Sequence, residues 1–235
     1  MKKKGKLYLI PSPLGETPHP IVPEYVLSLI HKLEYFIVEK AKTARRYIKK
    51  CEHPRAIQEL SFFELNKHKD DLEWRQYLNP IHQGVDVGLL SEAGCPGIAD
   101  PGAEIVAMAH QKNIEVVPLI GSSSILLSLI ASGLNGQSFT FHGYLSPKKE
   151  RIGKDLKRLE TTAKKINQTQ IFIETPYRNK QVVEQALKLL DPKTRFCIAM
   201  DLTLPSQFIR TKTIKEWQKL PLPDLHKRPA VFLLL

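Results

Sequence analysis

Cysteine is scarce in this chain of 235 residues: Cys51, Cys95 and Cys197 are few, odd in number and far apart. Without a C-x-x-C pair, neither a disulfide framework nor a zinc cluster is indicated. The 8 histidines are scattered, with no H-x-x-x-H spacing, and a lone one such as His19 reads as structural. No G-x-G-x-x-G follows the first apolar run and no G-x-x-x-x-G-K-[ST] occurs, so the dinucleotide and P-loop classes lose their main support. No apolar run approaches the ~18 residues of a membrane span. The start, MKKKGKLYLIPSP, is basic but has too short an apolar stretch before Pro11 for a signal peptide. The expectation is a cytoplasmic protein without membrane attachment. Internal repeats and low-complexity segments are also lacking.

What is there is ordinary globular material: 42% hydrophobic and 25% charged residues, enough to bury a real core. The length suits one large domain or two. The net charge of +11 is unevenly spread. Residues 1–117 hold 16 Lys/Arg against 15 Asp/Glu, a net of +1, and residues 118–235 hold 19 against 9, a net of +10. A basic second half favours a polyanionic partner, most simply nucleic acid, over a charge that serves solubility alone.

Apolar runs alternate with helix-like segments. LYLI (7–10), YFIV (35–38), DVGLLS (86–91) and IEVVPLI (114–120) read as strands. Between them, helical spacing predicts helices over 21–33, 70–82 and 101–112, and a short basic helix, ARRYIKK, capped by Thr43. Pro23 suits the first turn of the first helix. This is βα alternation, so the expected architecture is α/β with a mostly parallel sheet in residues 1–117. In residues 118–235, a helix ILLSLIAS, a long basic helix over 147–165, and strands at SFTFHGYL, QIFIE, RFCIAMD, QFIRTKTI and AVFLLL predict a second α/β domain with a mixed sheet.

Two loops should lie at the carboxyl ends of strands, where open α/β sheets bind ligands. One is PSPLG. The other is SEAGCPGIADPG (91–102), with glycines at 94, 97 and 102 and prolines at 96 and 101. Twelve residues is long for a connection that usually takes about 2–6. A stiff loop rich in exposed backbone groups suits a polar small molecule. Asp100 is placed to cap a helix beginning at Pro101. GSSS (121–124) precedes another helix, and its hydroxyls suit either capping or a ligand. Residues 148–165 carry eight Lys/Arg against three acids, and KAKTARRYIKK (40–50) sets Arg45 against Lys49 and Arg46 against Lys50 at helical spacing. Such like-charge pairs cost a few tenths of a kcal/mol each, which a phosphate partner would offset; a solvated face is the other reading.

LYLIPSPLG, VGLLSEAGCPGIADPG, IEVVPLIGSSS, SFTFHGYLSPKKERI and TQIFIETPYR, in that order, resemble the successive blocks of the tetrapyrrole-methylase superfamily. They look closest to its 16S ribosomal RNA 2′-O-cytidine methyltransferase I branch. The resemblance implies two α/β domains with a cleft between them, S-adenosylmethionine as cofactor and a homodimer. It puts Leu14, Ala93, Gly94, Cys95, Ile98, Ser123, Ser124, Glu174 and Ala230 on cofactor-contacting positions. It also implies RNA or the 30S subunit as partner, for which Arg45, Arg46, Lys148, Lys149 and Arg151 of the basic stretches are the candidate phosphate contacts. There are departures. The family's PLGN is PLGE here, its E-D-x-R is VEKAKTARR, and its PGPSA is IGSSS; several members also carry a further C-terminal RNA-interaction segment. Methyl transfer from a sulfonium needs alignment above all, and no metal. A ribose hydroxyl also needs its proton removed; Glu39, Asp100 and His142 are the candidate bases. A methyltransferase of a small molecule such as a tetrapyrrole, and a non-catalytic ribosome-binding homologue, are the alternatives.

Overall fold

In the computed structural model, residues 4–16, 22–65 and 71–235 are described, without the side chains of Asp71, Leu72 and Lys149. His19, Ile21 and Asp70 lie outside the described residues. The apolar runs become strands and the amphipathic segments become helices, in two units that divide between Ser123 and Ser124. Pro118, the expected join, instead pairs with Leu9 in the first sheet. The segment from Pro118 to Ser123 carries no charge, so the net charges of +1 and +10 belong to the two units unchanged.

The first unit contains β1 (Lys6–Ile10), α1 (Glu24–Ile30), β2 (Tyr35–Val38), α2 (Ala41–Lys50), β3 (Ser61–Glu64), α3 (Asp71–Gln76), α4 (Asn79–His82), β4 (Val87–Leu90), α5 (Gly102–Gln111) and β5 (Glu115–Pro118). Its five strands are ordered β3-β2-β4-β1-β5, and every pairing is parallel. Alternation along the strands sends residues to opposite faces. Ile10, Phe36, Val38 and Leu90 pack with α1 and α2, whereas Leu7, Ile37, Val87 and Leu89 pack with α3, α4 and α5. β4 is buried throughout, as a central parallel strand covered on both faces must be.

Some local expectations shift. α1 is shorter than its apolar stripe, and Pro23 is its N-cap rather than part of its first turn. α2 starts at Ala41, with Lys40 as N-cap; Thr43 lies inside it and donates to the Lys40 carbonyl and to the Glu92 carboxylate. The helix expected over 70–82 is two helices. Pro80 has no N–H to offer the turn before it, which breaks the ladder, and α4 restarts around it.

The second unit contains α6 (Ser124–Ser132), β6 (Phe139–Tyr144), α7 (Lys149–Ile166), β7 (Thr169–Ile173), α8 (Asn179–Leu189), β8 (Arg195–Met200), β9 (Phe208–Thr213), α9 (Ile214–Trp217) and β10 (Ala230–Leu234). The strand order is β6-β7-β10-β8-β9; only β6 and β7 run parallel. Helices α7, α8 and α9 bury one face around Phe172, Phe196 and Phe232, and α6 lies against β8, β9 and β10. Trp217 is the largest fully buried side chain, and its indole N–H donates to the Phe196 carbonyl at 2.7 Å. Trp217→Ala should therefore destabilise the second unit by about 3–5 kcal/mol, read as a lower urea midpoint for that unit's transition.

Candidate active site

Strand order decides where a ligand can sit in the first unit. β1 and β4 are neighbours, but the helix after β1 packs on one face and the helix after β4 on the other. Their loops diverge, and a crevice opens beyond their carboxyl ends. PSPLG and SEAGCPGIADPG both start there. A two-way backbone bridge joins them: Ser12 N–H donates to Gly94 O at 2.9 Å, and Gly94 N–H to Ser12 O at 3.0 Å. Two buried hydroxyls tighten it. Ser12 Oγ donates to Ser91 O at 2.7 Å, and Ser91 Oγ to Gly94 O at 2.8 Å.

Gly94 adopts φ +73°, which only glycine takes without strain, and a Cβ there would stand 3.3 Å from Leu14 Cδ2. Cys95 Sγ reaches Ser122 O at 3.4 Å, tying the loop to the connection after β5. Burial pushes the Cys95 thiol up from its ordinary value, which disfavours a thiolate. At Gly121 the same connection crosses Pro11 so closely that a Cβ would lie 2.4 Å from the proline's own. Leu14, Ala93, Gly94, Cys95 and Ser123 thus share one edge, and Ile98, half exposed, lies further along the same loop.

The three candidate bases have different surroundings. Asp100 accepts the N–H groups of Gly97 at 2.9 Å and Gly102 at 2.7 Å, so its carboxylate holds the loop and the start of α5. His142 sits on β6 in the second unit, with Nε2 2.7 Å from Gln170 Oε1. Glu39 follows β2 on the same edge as the loops and accepts the Glu92 N–H at 2.8 Å. Burial raises its carboxyl above the ordinary glutamate value, and the Asp100 and Glu92 charges add to this against the Glu92 hydrogen bond. Beside it, Ser12, Leu14, Thr43, Arg46, Tyr47 and Glu92 help line a cavity of about 190 Å³.

In the second unit, Glu174 directly follows β7. The register that pairs Ile173 with Val231 sets it alongside Ala230, the first residue of β10. Its side chain is fully buried. Oε2 accepts the Thr175 N–H at 2.9 Å; Oε1 lies 3.5 Å from the Arg178 guanidinium yet makes no hydrogen bond. Burial raises this carboxyl too. Ser124 opens α6. Of the basic candidates, Arg45 lies over the Phe62 ring at 5.3 Å, and Arg46 pairs with Glu16 at 2.7 Å. Lys148 and Arg151 flank the start of α7; the Lys149 side chain lies outside the description. Along that helix, Lys157, Arg158 and Lys164 are paired with acids, whereas Lys148, Lys154 and Arg151 have no acidic partner among the described residues.

The glycines and prolines of these loops mark their stiffness but do not reveal the parts played by Ser12, Ser91 and Tyr47. Tyr47 donates from α2 to the Pro11 carbonyl at 3.2 Å. A serine just past the end of each of two adjacent strands was the available signal. Among the described residues, no group of three His, Cys, Asp or Glu is placed to hold a metal, and no helix is long and apolar enough to cross a membrane.

Solved structures share the fold. The methyltransferase CobJ superposes with a TM-score of 0.63 at 15% identity, over 98% of this chain and 93% of its own. The cobalt precorrin-4 methyltransferase CbiF gives 0.60 at 13% identity, over 97% and 94%. Residues 14–218 match the family Tetrapyrrole (Corrin/Porphyrin) Methylases. The chain belongs to this family and is a methyltransferase. Curated relatives named "Ribosomal RNA small subunit methyltransferase I" include one from Bacillus subtilis, 33% identical over 88% of this chain and 67% of its own length. Another, from Vibrio cholerae, is 29% identical over 93% and 69%. The one from Thermotoga maritima is 28% identical over 88% of both chains.

The close crossing at Gly121 makes a direct test of this loop packing. Gly121→Ala must push the connection off Pro11, and should cost about 1–3 kcal/mol in chemical denaturation of the first unit.

Proposed function

We propose that this protein transfers a methyl group from S-adenosylmethionine to the ribose 2′-oxygen of a cytidine in small-subunit ribosomal RNA. The observation that carries the proposal is the edge at β1 and β4, where the Ser12–Gly94 backbone bridge sets Leu14 against Gly94 and the Cys95 thiol ties the loop of Ala93 and Ile98 to the connection that ends at Ser123. Support for the substrate comes from the printed names of the relatives and from the charge of the second unit.

The residues present fit the donor. Glycine at 94 leaves backbone approachable, and in the second unit the buried Glu174 Oε1 lacks a hydrogen-bond partner that a ligand N–H or hydroxyl would supply. Ser124, Glu174 and Ala230 complete the proposed donor set. When bound, S-adenosylmethionine supplies a methyl carbon on a sulfonium, with a neutral leaving group. The chain's task is then alignment, which can be worth up to ~7–11 kcal/mol, and exposure of the acceptor's lone pair. Glu39 is the proposed base. Its raised pKa brings it closer to the operating pH, and unlike Asp100 it is not committed to two backbone donors. Arg45, Arg46, Lys148, Lys149 and Arg151 hold phosphates. A cytoplasmic homodimer belongs to the same reading; exposed Ile130, Phe139 and Tyr144 on the second unit support an association surface.

Calorimetry should show S-adenosylmethionine binding, and labelled methyl should enter small-subunit rRNA in 30S subunits or free RNA. Label entering only a porphyrinogen would refute the RNA assignment. Glu39→Gln should lower transfer by about 10²–10⁴-fold with donor affinity kept. In the wild type, transfer should rise with pH as Glu39 loses its proton, above the ordinary glutamate range. Reversing Lys148, Lys149 and Arg151 to Glu should weaken RNA binding and make it less sensitive to salt, leaving donor binding near the wild-type value; equal loss of both would misplace the RNA face.

A further inference from the structure

Away from the loops just described, the first unit has a second concavity of about 570 Å³ between α2 and the segment that follows it. One wall carries Arg45, Arg46 and Lys49; the other carries His53 and Arg55. We infer that this groove is a binding track for the sugar–phosphate backbone of the substrate RNA, on the unit whose net charge does not announce it. The inference rests on RNA being the substrate.

The charge is patterned. The first unit is nearly neutral at +1, yet α2 bears five cations and no acid. Two pairs of like charges stand one helical turn apart on it, an arrangement that is unfavourable in isolation and favourable against a polyanion. Two of the groove's cations are held by acids: Arg46 by Glu16 at 2.7 Å and Arg55 by Glu34 at 2.6 Å, and Glu52 also lines the groove. Arg45 and Lys49 have no acidic partner among the described residues. They carry the attraction.

Arg45 is also pre-positioned. Its guanidinium lies 5.3 Å from the centroid of the Phe62 ring on β3. A planar cation laid on an aromatic face keeps its N–H donors at its rim, where they match phosphate oxygens, and loses less freedom on binding than a loose lysine would. His53 shapes the wall rather than reaching into the groove, because its ring nitrogens meet Leu33 O at 3.0 Å and the Arg55 N–H at 3.1 Å. Helix α2 begins on the edge that carries Glu39 and runs away from it, so a strand in this groove would be the RNA flanking the acceptor nucleotide.

The test compares wild type, Arg45→Ala/Lys49→Ala and Arg45→Lys/Lys49→Arg. Affinity is measured for 30S subunits and for protein-free small-subunit rRNA across a salt series, with S-adenosylmethionine binding and melting temperature followed alongside. Removing two phosphate contacts should make the slope of log affinity against log salt shallower by about 1.4–1.8, with donor binding kept. The charge-conserving pair should keep the wild-type slope. If wild type binds rRNA and the alanine pair binds it with the same affinity and slope, the groove is not an RNA track and the proposed function stands. If wild type binds no rRNA, both fall. A loss seen with 30S subunits but not with naked rRNA would assign the groove to an acidic protein and overturn the inference.

Discussion

The first unit depends on one reciprocal backbone contact, the bridge between Ser12 and Gly94. It forms just past the ends of two adjacent parallel strands, where sheet pairing has stopped and each chain is turning to an opposite face. Left alone, two loops at such a point would splay. The bridge lets them continue a little further as a pair, and Ser12 and Ser91 hydroxyls satisfy carbonyls that sheet bonding no longer reaches. Everything offered to a ligand on this edge is positioned by that contact: Leu14 against Gly94, Cys95 against the connection after β5, and Pro11 beneath Gly121.

Much of this was readable from residue types. Continuous apolar runs and helical apolar spacing located nearly every element, because a strand in a sheet covered on both faces is apolar throughout. The glycines of the long loop announced close backbone approach, and Asp100 beside Pro101 announced a helix start. What escaped has physical causes. Thr43 has the chemistry of a cap, but the helix begins before it, and its hydroxyl is drawn to Glu92, far away in sequence. Pro80 sits inside an apolar stripe whose period survives the break. The orphaned oxygen of Glu174 could not be seen in advance, because it arises from burial at the end of β7 and not from any local motif. The pairing of Tyr47 with Pro11 is likewise a tertiary fact without a sequence period.

The units divide labour in their charge. The second is basic throughout, and along α7 part of that charge is neutralised within the helix itself. The first is nearly neutral in sum at +1, with five of its cations on α2 and three of its acids, Glu39, Glu92 and Asp100, at the loop edge. A carboxylate partly out of water and among other carboxylates holds its proton more tightly, and Glu39 stands in such surroundings. Basic helix and acidic edge meet at Lys40 and Thr43, both bonded to Glu92.

The internal bonding of SEAGCPGIADPG has a kinetic consequence. The Gly94 amide and carbonyl are already committed to Ser12 and Ser91, the Gly97 and Gly102 amides to Asp100, and the loop's two prolines leave little backbone freedom to lose. A ligand arriving there meets a surface whose ordering entropy was spent during folding. Encounter with this loop then becomes a matter of diffusion and fit, and slow rearrangement has to be sought in elements other than this one.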